Sequence, residues 1–529
     1  MQFITIQFFI FFVGIFLISM LLKGNKKYYR VFCLLVSLAF YQFFGFKFFA
    51  ILILNICLNF LLLKAVDRFG KKTLVFSVIL NVLFLGAFKY YNFGIDTFFQ
   101  VLNQLNIPAD IQVLRILIPV GISFYSFRNI SHLVDCYRKE LPIPSFIDYA
   151  NYVAFFPQIM SGPIVRAKEF YTSLNDPYLF KYSQGRIITL ILSGLLKKYV
   201  IASYLFNFAS APFTSPSNYS SLDLIMAALA YSIMIFVDFS GYSDFAIAIS
   251  NLLGFKVGNN FLNPYSAIGL KDFWNRWHIS LSAWLKDYVY IPLGGSRKGT
   301  TRKYINIVIT MFISGLWHGA GLNFIVWGLL HGIGSVVSHL IADIFNRSSK
   351  VANATFKIAN KSKVETASVE SQSGGIAFET DGELFDKEID ELLQKIDEKP
   401  VEGKTEVEEK ASDFIFPIVL NVVGWAVTFI YVTFAWIFFT SSSIGNALNF
   451  IGSIFVSSVV ENKIFNFRLL FVIAVVLLFN FVGDKTFRFS IGFFDKMPLA
   501  VRLPVVAVLA YLILQLGPET VPPFIYFSF

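Results

Sequence analysis

Long apolar runs separated by short polar gaps recur along nearly the whole chain of 529 residues. A helix needs about 20 residues to cross a hydrocarbon layer of about 30 Å, and several of these runs are that long. The runs are continuous and lack the alternation of a barrel strand, so we expect helices. We predict an all-α polytopic membrane protein with about 10 to 12 true spans, the shorter runs forming re-entrant or interfacial helices. The candidate spans are residues 3–22, 31–44, 48–63, 74–90, 112–130, 188–207, 223–237, 244–254, 305–317, 322–343, 414–438, 468–482 and 500–516.

Composition and charge agree with a membrane protein, since 56% of the residues are hydrophobic and only 15% are charged. The first apolar run has no basic segment before it and no small-residue cleavage site, so we expect a first span rather than a removable signal peptide. The net charge of +10 could suit nucleic acid, but basic residues concentrate in the short gaps at 23–30 and 64–72. By the positive-inside rule, both gaps face the cytoplasm and the amino terminus lies outside. Topology therefore explains the charge, and we expect no nucleic-acid partner.

An acidic segment interrupts the apolar pattern at residues 346–413. Between Ser349 and Asp413 there are 16 acidic and 9 basic residues, so this stretch carries −7 and the remainder of the chain carries +17. Such a composition predicts a soluble, largely disordered insert. We therefore divide the chain into a membrane core at 1–345, the insert, and carboxyl-terminal spans at 414–529 that complete the bundle.

The insert contains one helical pattern. Apolar residues recur at helical spacing after a capping box, and Pro400 closes the run. This predicts an amphipathic helix near residues 383–398. It could be a docking helix for a partner, or a fragment of helix in a flexible linker.

Histidines give the strongest chemical signal. The chain has five, and four of them lie close together in the sequence: His278, His318, His331 and His339. No HExxH motif and no pair of these four at i, i+4 is present, and the three cysteines form no CxxC pair, so we expect neither a metal site nor a disulfide framework. A serine hydrolase is not favoured either, because the GxSxG elbow is absent.

The first histidine motif is FWNRWHISLSAWLKDYVYIPLGGSR, residues 273–297. Read as one helix, it places three tryptophans and His278 near one face. Tryptophans with paired charges are typical of an interfacial helix, so a membrane-surface anchor and a functional element both remain open. The motif ends in a basic turn that includes Arg297. An anionic substrate or anionic lipid headgroups could bind there.

The second histidine motif is SGLWHGAGLNFIVWGLLHG, residues 314–332, in which glycines flank His318. Glycines would let another backbone or a slender ligand approach closely. Desolvation should keep the imidazole neutral, and a neutral imidazole can accept a proton from a hydroxyl or thiol as the general base of an acyl transfer. A buried histidine that bonds to a neighbouring helix is the structural alternative, and we favour that alternative for His331 and His339.

Two carboxylates also fall within an apolar stretch, Asp238 and Asp244 in VDFSGYSDFA. Charged groups inside a membrane are energetically costly, so those that occur usually have a structural or functional role. Either carboxylate could orient His318 or His278 across helices, or could form an ordinary helix-to-helix hydrogen bond.

Six motifs follow one another in a recognisable order: PVGISFYSF, FFPQIMSGPIVR, DFSGYSDFAIAIS, NNFLNPY, FWNRWHISLSAWLKDYVYIPLGGSR and GLWHGA. In this order the chain resembles the membrane-bound O-acyltransferase family, in its bacterial alginate O-acetylation branch. The pairing of RWHISLS with a later WHG tripeptide is particularly specific. The acidic insert is not part of the common pattern, and the carboxyl-terminal third carries only the looser element FAWIFF.

The resemblance implies a ring-like bundle of helices around a funnel or tunnel. It also implies that His318 is the essential catalytic residue and that His278 is the second characteristic histidine. The candidates for positioning the donor or acceptor are Trp277, Arg276, Trp317, Asp238, Asp244 and Arg297.

As a function, the resemblance implies an O-acyltransferase of the bacterial inner membrane, surrounded by membrane lipids. It would pass an acetyl group from cytoplasmic acetyl-CoA, with no bound cofactor, toward an extracytoplasmic polysaccharide such as an alginate-like exopolysaccharide or a cell-wall glycan. A serine-dependent extracytoplasmic acetyltransferase would complete the transfer. Three alternatives remain: a lipid O-acyltransferase, D-alanyl-type transfer from a carrier protein, and a transporter or flippase whose histidines relay protons.

Overall fold

The computed structural model describes residues 5–107, 113–344, 411–518, 521, 522 and 524. The chain divides into two compact units, one comprising Met1–Val337 and Gly424–Phe529, the other Ser338–Val423. The amphipathic helix expected near residues 383–398 lies outside the described residues, and the predicted domain boundaries stay predictions.

Helices account for the regular structure of the described residues, and no strand occurs among them. In the amino-terminal half the helices are α1 (Ile6–Leu22), α2 (Lys26–Gln42), α3 (Phe46–Phe69), α4 (Lys71–Gln104), α5 (Ile122–Tyr137), α6 (Phe146–Ala154), α7 (Phe156–Ile159), α8 (Ala167–Asn175), α9 (Gln184–Thr214) and α10 (Ser221–Leu252). In the carboxyl-terminal half they are α11 (Leu270–Arg276), α12 (Ile279–Leu285), α13 (Thr300–His318), α14 (Leu322–Ile344), α15 (Ala411–Thr440), α16 (Ile444–Val456), α17 (Phe467–Lys496) and α18 (Leu499–Leu516).

Within the described residues, 8 helices are long and apolar enough to cross a membrane: α3, α4, α9, α10, α14, α15, α17 and α18. Shorter apolar helices lie at Gln7–Leu22 and Ile444–Val456. The prediction of an all-α polytopic membrane protein is thereby confirmed. The larger number of spans and the ring-like arrangement around a funnel stay predictions.

Helix α10 is the central element of the first unit. Its apolar segment is 83% buried, whereas that of α18 is 0% buried and faces outward. The prediction of separate spans at 223–237 and 244–254 is wrong, because α10 runs without a break through the polar stretch between them. The carboxylates of that stretch form hydrogen bonds and ion pairs with side chains of α9, so the polar residues are accommodated within a continuous helix.

A π-helical segment in α9 carries the lysines that pair with these carboxylates. Residues Leu196–Ala202 form a π-helical segment within the helix, and both Lys197 and Lys198 reach α10 from it. Such π segments are frequent at functional sites, because the extra residue redirects side chains.

The predicted span 112–130 begins later than expected, since α5 starts only at Ile122. Gly121 precedes the helix in the left-handed region, with φ of 76°. A Cβ atom there would lie 2.1 Å from the main-chain oxygen of Ile159, so the close approach requires glycine. The non-helical residues before Gly121 help to form the wall of a cavity described below.

The two basic gaps are linked to the α5–α6 connection and to the first turn of α6. Arg30 pairs with Asp148 at 3.4 Å, and Asp67 pairs with Lys139 at 2.7 Å. Both gaps therefore lie near one segment, as expected if they share a side of the membrane.

Candidate functional site

The motif around His278 is broken in two, so the prediction of a single helix is wrong. Helix α11 ends at Arg276, and α12 begins at Ile279. Between them His278 adopts φ of 41° and ψ of 54°, a left-handed conformation that costs a non-glycine residue about 1 kcal/mol or more. The break turns His278 into the protein, where it is fully buried.

Asn260 stabilises this break. Its main-chain oxygen accepts a hydrogen bond from the Ile279 amide at 3.0 Å. Its Oδ1 accepts hydrogen bonds from the amide and hydroxyl of Ser280, at 3.2 and 2.8 Å. The same Oδ1 lies 3.3 Å from Nδ1 of His278. Asn260 thus holds both the backbone and the ring of His278.

The tryptophans of this motif are not spread along a membrane surface. Trp277 is 1% exposed and packs against Phe261 and Trp436, with ring centroids 5.1 and 5.0 Å apart. Trp284 is 4% exposed and stacks on Phe127 at 3.7 Å. The interpretation of an interfacial anchor is therefore wrong for these two residues, which are part of the protein interior.

His318 is the last residue of α13 and is 4% exposed. Its ring contacts the rings of Trp317, Trp327 and Phe439, with centroids 4.9, 4.9 and 5.2 Å away. Aromatic neighbours on several sides fix the imidazole in an environment that largely excludes bulk water.

The glycines beside His318 allow close packing, and at Gly315 the neighbour is another backbone, one of the two alternatives that the sequence left open. A Cβ atom on Gly315 would lie 2.3 Å from the Phe324 main-chain oxygen and 3.2 Å from the Cα atom of Gly328. A Cβ atom on Gly319 would lie 2.0 Å from the ring of Phe324. These glycines let α13 and α14 pack closely.

An aromatic row connects three of the four clustered histidines. The His278 ring centroid lies 6.2 Å from that of Trp317, which lies 4.9 Å from that of His318. On the other side, the Trp327 ring lies 4.9 Å from that of His318 and 4.8 Å from that of His331. The structure thus brings His278 and His318 into ring contact with the same indole, that of Trp317.

His331 and His339 occupy different settings. His331 is fully buried in contact with aromatic rings, and neither ring nitrogen has a hydrogen-bond partner among the described residues. Bonding to a neighbouring helix, the expected alternative, is therefore not seen for it in this part of the chain. His339 lies in the second unit.

Two cavities adjoin the WHG segment. Trp317 and His318 line a cavity of about 500 Å³, together with Lys89 and the non-helical stretch before α5. Residues 319–324 line a second cavity of about 1100 Å³. The catalytic candidate therefore lies at a wall of one cavity and directly beside the other, where two substrates could meet.

Asp238 and Asp244 both form ion pairs with α9. Asp238 pairs with Lys198, and the two side chains are only 6% and 5% exposed at the wall of the larger cavity. Asp244 accepts hydrogen bonds from Ser193 and Lys197, each at 2.8 Å. The hydrogen bonds of Asp244 in the described structure therefore join α10 to α9 and do not reach either histidine.

The two arginine candidates are less buried than His278 and His318. Arg276 is half-exposed and pairs with Asp272 at 2.8 Å, one turn before it in α11. Arg297 is exposed in the turn before α13. Its role in binding an anionic substrate or anionic lipid headgroups stays a prediction.

Sequence reasoning missed two residues of this site, Lys89 and Asn260. Lys89 is buried in α4, and its ammonium donates hydrogen bonds to the main-chain oxygens of Trp317 and His318, the latter at 2.8 Å. A lysine inside the predicted span 74–90 was a usable signal, because a charge at that depth is costly. Asn260 lies in the motif NNFLNPY, but its role depends on a tertiary contact that the motif does not reveal.

Metal-binding capacity can be judged only for the described residues. Among them, no group of three or more histidine, cysteine, aspartate or glutamate side chains is placed to hold a metal ion.

Comparison with known proteins adds a family and several relatives. The profile of the membrane-bound O-acyltransferase family (MBOAT) matches residues 88–358. A probable alginate O-acetylase AlgI of Pseudomonas putida is 38% identical over 342 residues, which cover 63% of this chain and 70% of that protein. A peptidoglycan O-acetyltransferase of Helicobacter pylori is 34% identical over 355 residues, covering 61% and 66%. A teichoic acid D-alanyltransferase of Streptococcus thermophilus is 28% identical over 365 residues, covering 64% and 86%.

Proposed function

Because the chain belongs to the membrane-bound O-acyltransferase family, we propose that it passes an acetyl group from cytoplasmic acetyl-CoA toward an extracytoplasmic polysaccharide. The relatives named for alginate or peptidoglycan O-acetylation support a polysaccharide as the final acceptor. The observation that carries the proposal is the position of His318, which is buried beside two cavities and contacts the same indole as His278.

The chemistry required is attack of a hydroxyl on a thioester. In this proposal His318 acts as the general base that takes the hydroxyl proton, or as a transient acyl acceptor. Burial among aromatic rings supports either role, because it keeps water from hydrolysing the activated acyl group.

His278 has a positioning role in this proposal. The contact with Asn260 fixes the His278 ring. That ring packs against Trp317, which in turn packs against His318 and so helps to hold its imidazole in place. A fixed geometry favours transfer, because small displacements of reacting groups cost large factors in rate.

The proposed location is the bacterial inner membrane, with the basic gaps in the cytoplasm. Donor entry near the basic turn that contains Arg297 would follow from this orientation, since acetyl-CoA is anionic. A serine-dependent acetyltransferase outside the membrane would receive the acetyl group and complete transfer to the polymer.

The test is transfer of labelled acetyl from acetyl-CoA in membranes that contain the protein, with label sorted into lipid, protein and polymer. We expect label in polymer or in an extracytoplasmic protein, lost in His318→Ala and retained in the control His339→Ala. Immunoblotting of membranes should show equal amounts of all three proteins.

Other outcomes would redirect the proposal. Histidine-dependent label in lipid alone would indicate a lipid O-acyltransferase. Label obtained only from a D-alanyl carrier protein would indicate the chemistry named for the teichoic acid relative. Substrate movement with no consumption of thioester would indicate a flippase, and full transfer by His318→Ala would contradict the role of His318.

A further inference from the structure

Lys89 is a buried charge in the middle of a membrane helix. It lies well inside the 34-residue helix α4 and is 8% exposed. Ionisable groups at such a depth are costly, and those that occur are usually paired or functional. None of the ion pairs found among the described residues includes Lys89, so neutralisation by a carboxylate does not explain its presence there.

The ammonium group of Lys89 lies at the carboxyl-terminal end of α13. It donates hydrogen bonds to the main-chain oxygens of Trp317 and His318, and lies 5.8 Å from the centroid of the Trp317 ring. The last carbonyls of a helix lack partners within the helix and carry a partial negative charge. Lys89 therefore supplies a positive charge where α13 delivers His318.

This electrostatic setting matters for acyl transfer. Negative charge develops on the acyl carbonyl oxygen as the acceptor attacks, and a helix carboxyl terminus alone would repel it. A cation at the same place reverses the sign of the interaction. Lys89 and His318 also line the same cavity of about 500 Å³, so both can face one ligand.

The Lys89 ammonium has one N–H donor without a partner among the described residues. A lysine carries three N–H donors, and only two have partners among the described residues. The cavity wall next to it is firmly held, because Asn92 makes two hydrogen bonds to the backbone of Ile116, at 2.7 and 3.0 Å. The remaining N–H can therefore be directed at a ligand in a cavity of defined shape.

We propose that Lys89 is a further catalytic residue, whose remaining N–H binds the acyl carbonyl oxygen during transfer. The inference rests on the proposed acyl transfer and adds the group that stabilises its transition state. The acceptor hydroxyl oxygen bonds to the acyl carbon, its proton moves to a ring nitrogen of His318, and the C=O π pair moves onto the oxygen held by Lys89. The C=O bond then re-forms as the C–S bond breaks, and the leaving thiolate takes the proton back from His318.

The experiment measures labelled acetyl transfer by Lys89→Met, which keeps the shape of the side chain and removes its charge. Loss of one oxyanion donor should lower kcat about 100- to 1000-fold, while KM for the donor changes less than about threefold. A fluoroacetyl thioester stabilises negative charge on its own oxygen. The loss should therefore be at least about tenfold smaller with fluoroacetyl than with acetyl, a difference that a merely structural role would not produce.

Two further variants guard the interpretation. Tyr90→Phe removes hydrogen bonds to the main-chain oxygens of Leu316 and Gly319 at the same helix end, at 2.5 and 3.4 Å, but no charge. It should lower kcat less than about fivefold. Lys89→Arg keeps a cation. It should accumulate normally and retain more activity than Lys89→Met. If Lys89→Met fails to accumulate, the uncharged variant Lys89→Gln replaces it in the acyl-group comparison.

Three results would overturn the assignment: wild-type kcat in Lys89→Met, an equal loss with both acyl groups, or an equal loss in Tyr90→Phe. Failure of the underlying function gives a different result, because His318→Ala would then match the wild type in the same assay.

Discussion

At the scale of single residues, Asn260 determines how His278 can act. If Nδ1 of His278 donates its proton to Oδ1 of Asn260, the other ring nitrogen is left as an acceptor. That atom, Nε2, is buried and has no hydrogen-bond partner among the described residues.

Replacing Asn260 should impair transfer by displacing His278. In Asn260→Ala the ring of His278 and the amide and hydroxyl of Ser280 all lose an acceptor, so we expect kcat to fall by about 10- to 100-fold. Asn260→Asp keeps an acceptor at the same place and should lose less. Labelled acetyl transfer checks both variants, and equal activity of Asn260→Ala and the wild type would rule out this role.

At the scale of helices, α13 and α14 pack so closely around Gly315 that the contact tolerates no side chain there. Gly86 of α4 offers a matched position, because a Cβ atom on it would meet nothing within 4 Å. Both glycines lie within helices, so replacement by alanine changes the helix propensity of the two positions similarly. The two variants therefore differ mainly in packing.

Gly315→Ala should lower the stability of the protein, whereas Gly86→Ala should be neutral or stabilising. Overpacking costs about 1 to 3 kcal/mol, and alanine in an open helical position gains up to about 1 kcal/mol. Thermal unfolding in detergent measures both, with transfer activity as a second readout. A Gly315→Ala protein as stable as Gly86→Ala would contradict the close packing.

Helices also show what the sequence could and could not predict. The apolar runs were sufficient to predict membrane helices such as α3, α4 and α14, because burial in lipid depends on local composition. The apolar runs were insufficient to predict α10, which continues through a polar stretch because α9 supplies partners for its carboxylates. They were also insufficient at His278, where a contact with Asn260 accompanies the end of the helix. His278 and His318 could be selected from their motifs. Their packing against the Trp317 indole could not be predicted, because it depends on tertiary structure.

At the scale of the whole molecule, the two ion pairs that join α9 to the central helix α10 differ in burial. The pair Lys198–Asp238 is almost fully buried beside the central helix, whereas the neighbouring pair Lys197–Asp244 is 30% and 15% exposed. Breaking a buried pair leaves one charge uncompensated, which costs more than breaking a partly exposed one.

Asp238→Asn should therefore destabilise the protein by about 3 to 5 kcal/mol, against about 1 kcal/mol or less for Asp244→Asn. The double variant Lys198→Met with Asp238→Leu should recover much of the loss, since no unpaired charge remains. Unfolding temperatures of the three proteins in detergent check this order. Equal losses in the two single variants would show that burial does not govern these pairs.

The pairing of α9 with α10 has a consequence for biogenesis. The two helices are consecutive in the chain and are joined by only a short connection, so Lys198 and Asp238 leave the ribosome close together in time. Each charge alone would penalise partition into lipid by about 2.5 to 3.5 kcal/mol. If the helices leave the translocon as a paired hairpin, the charges neutralise each other before either meets lipid, and the catalytic core acquires its central helix already bound to a partner.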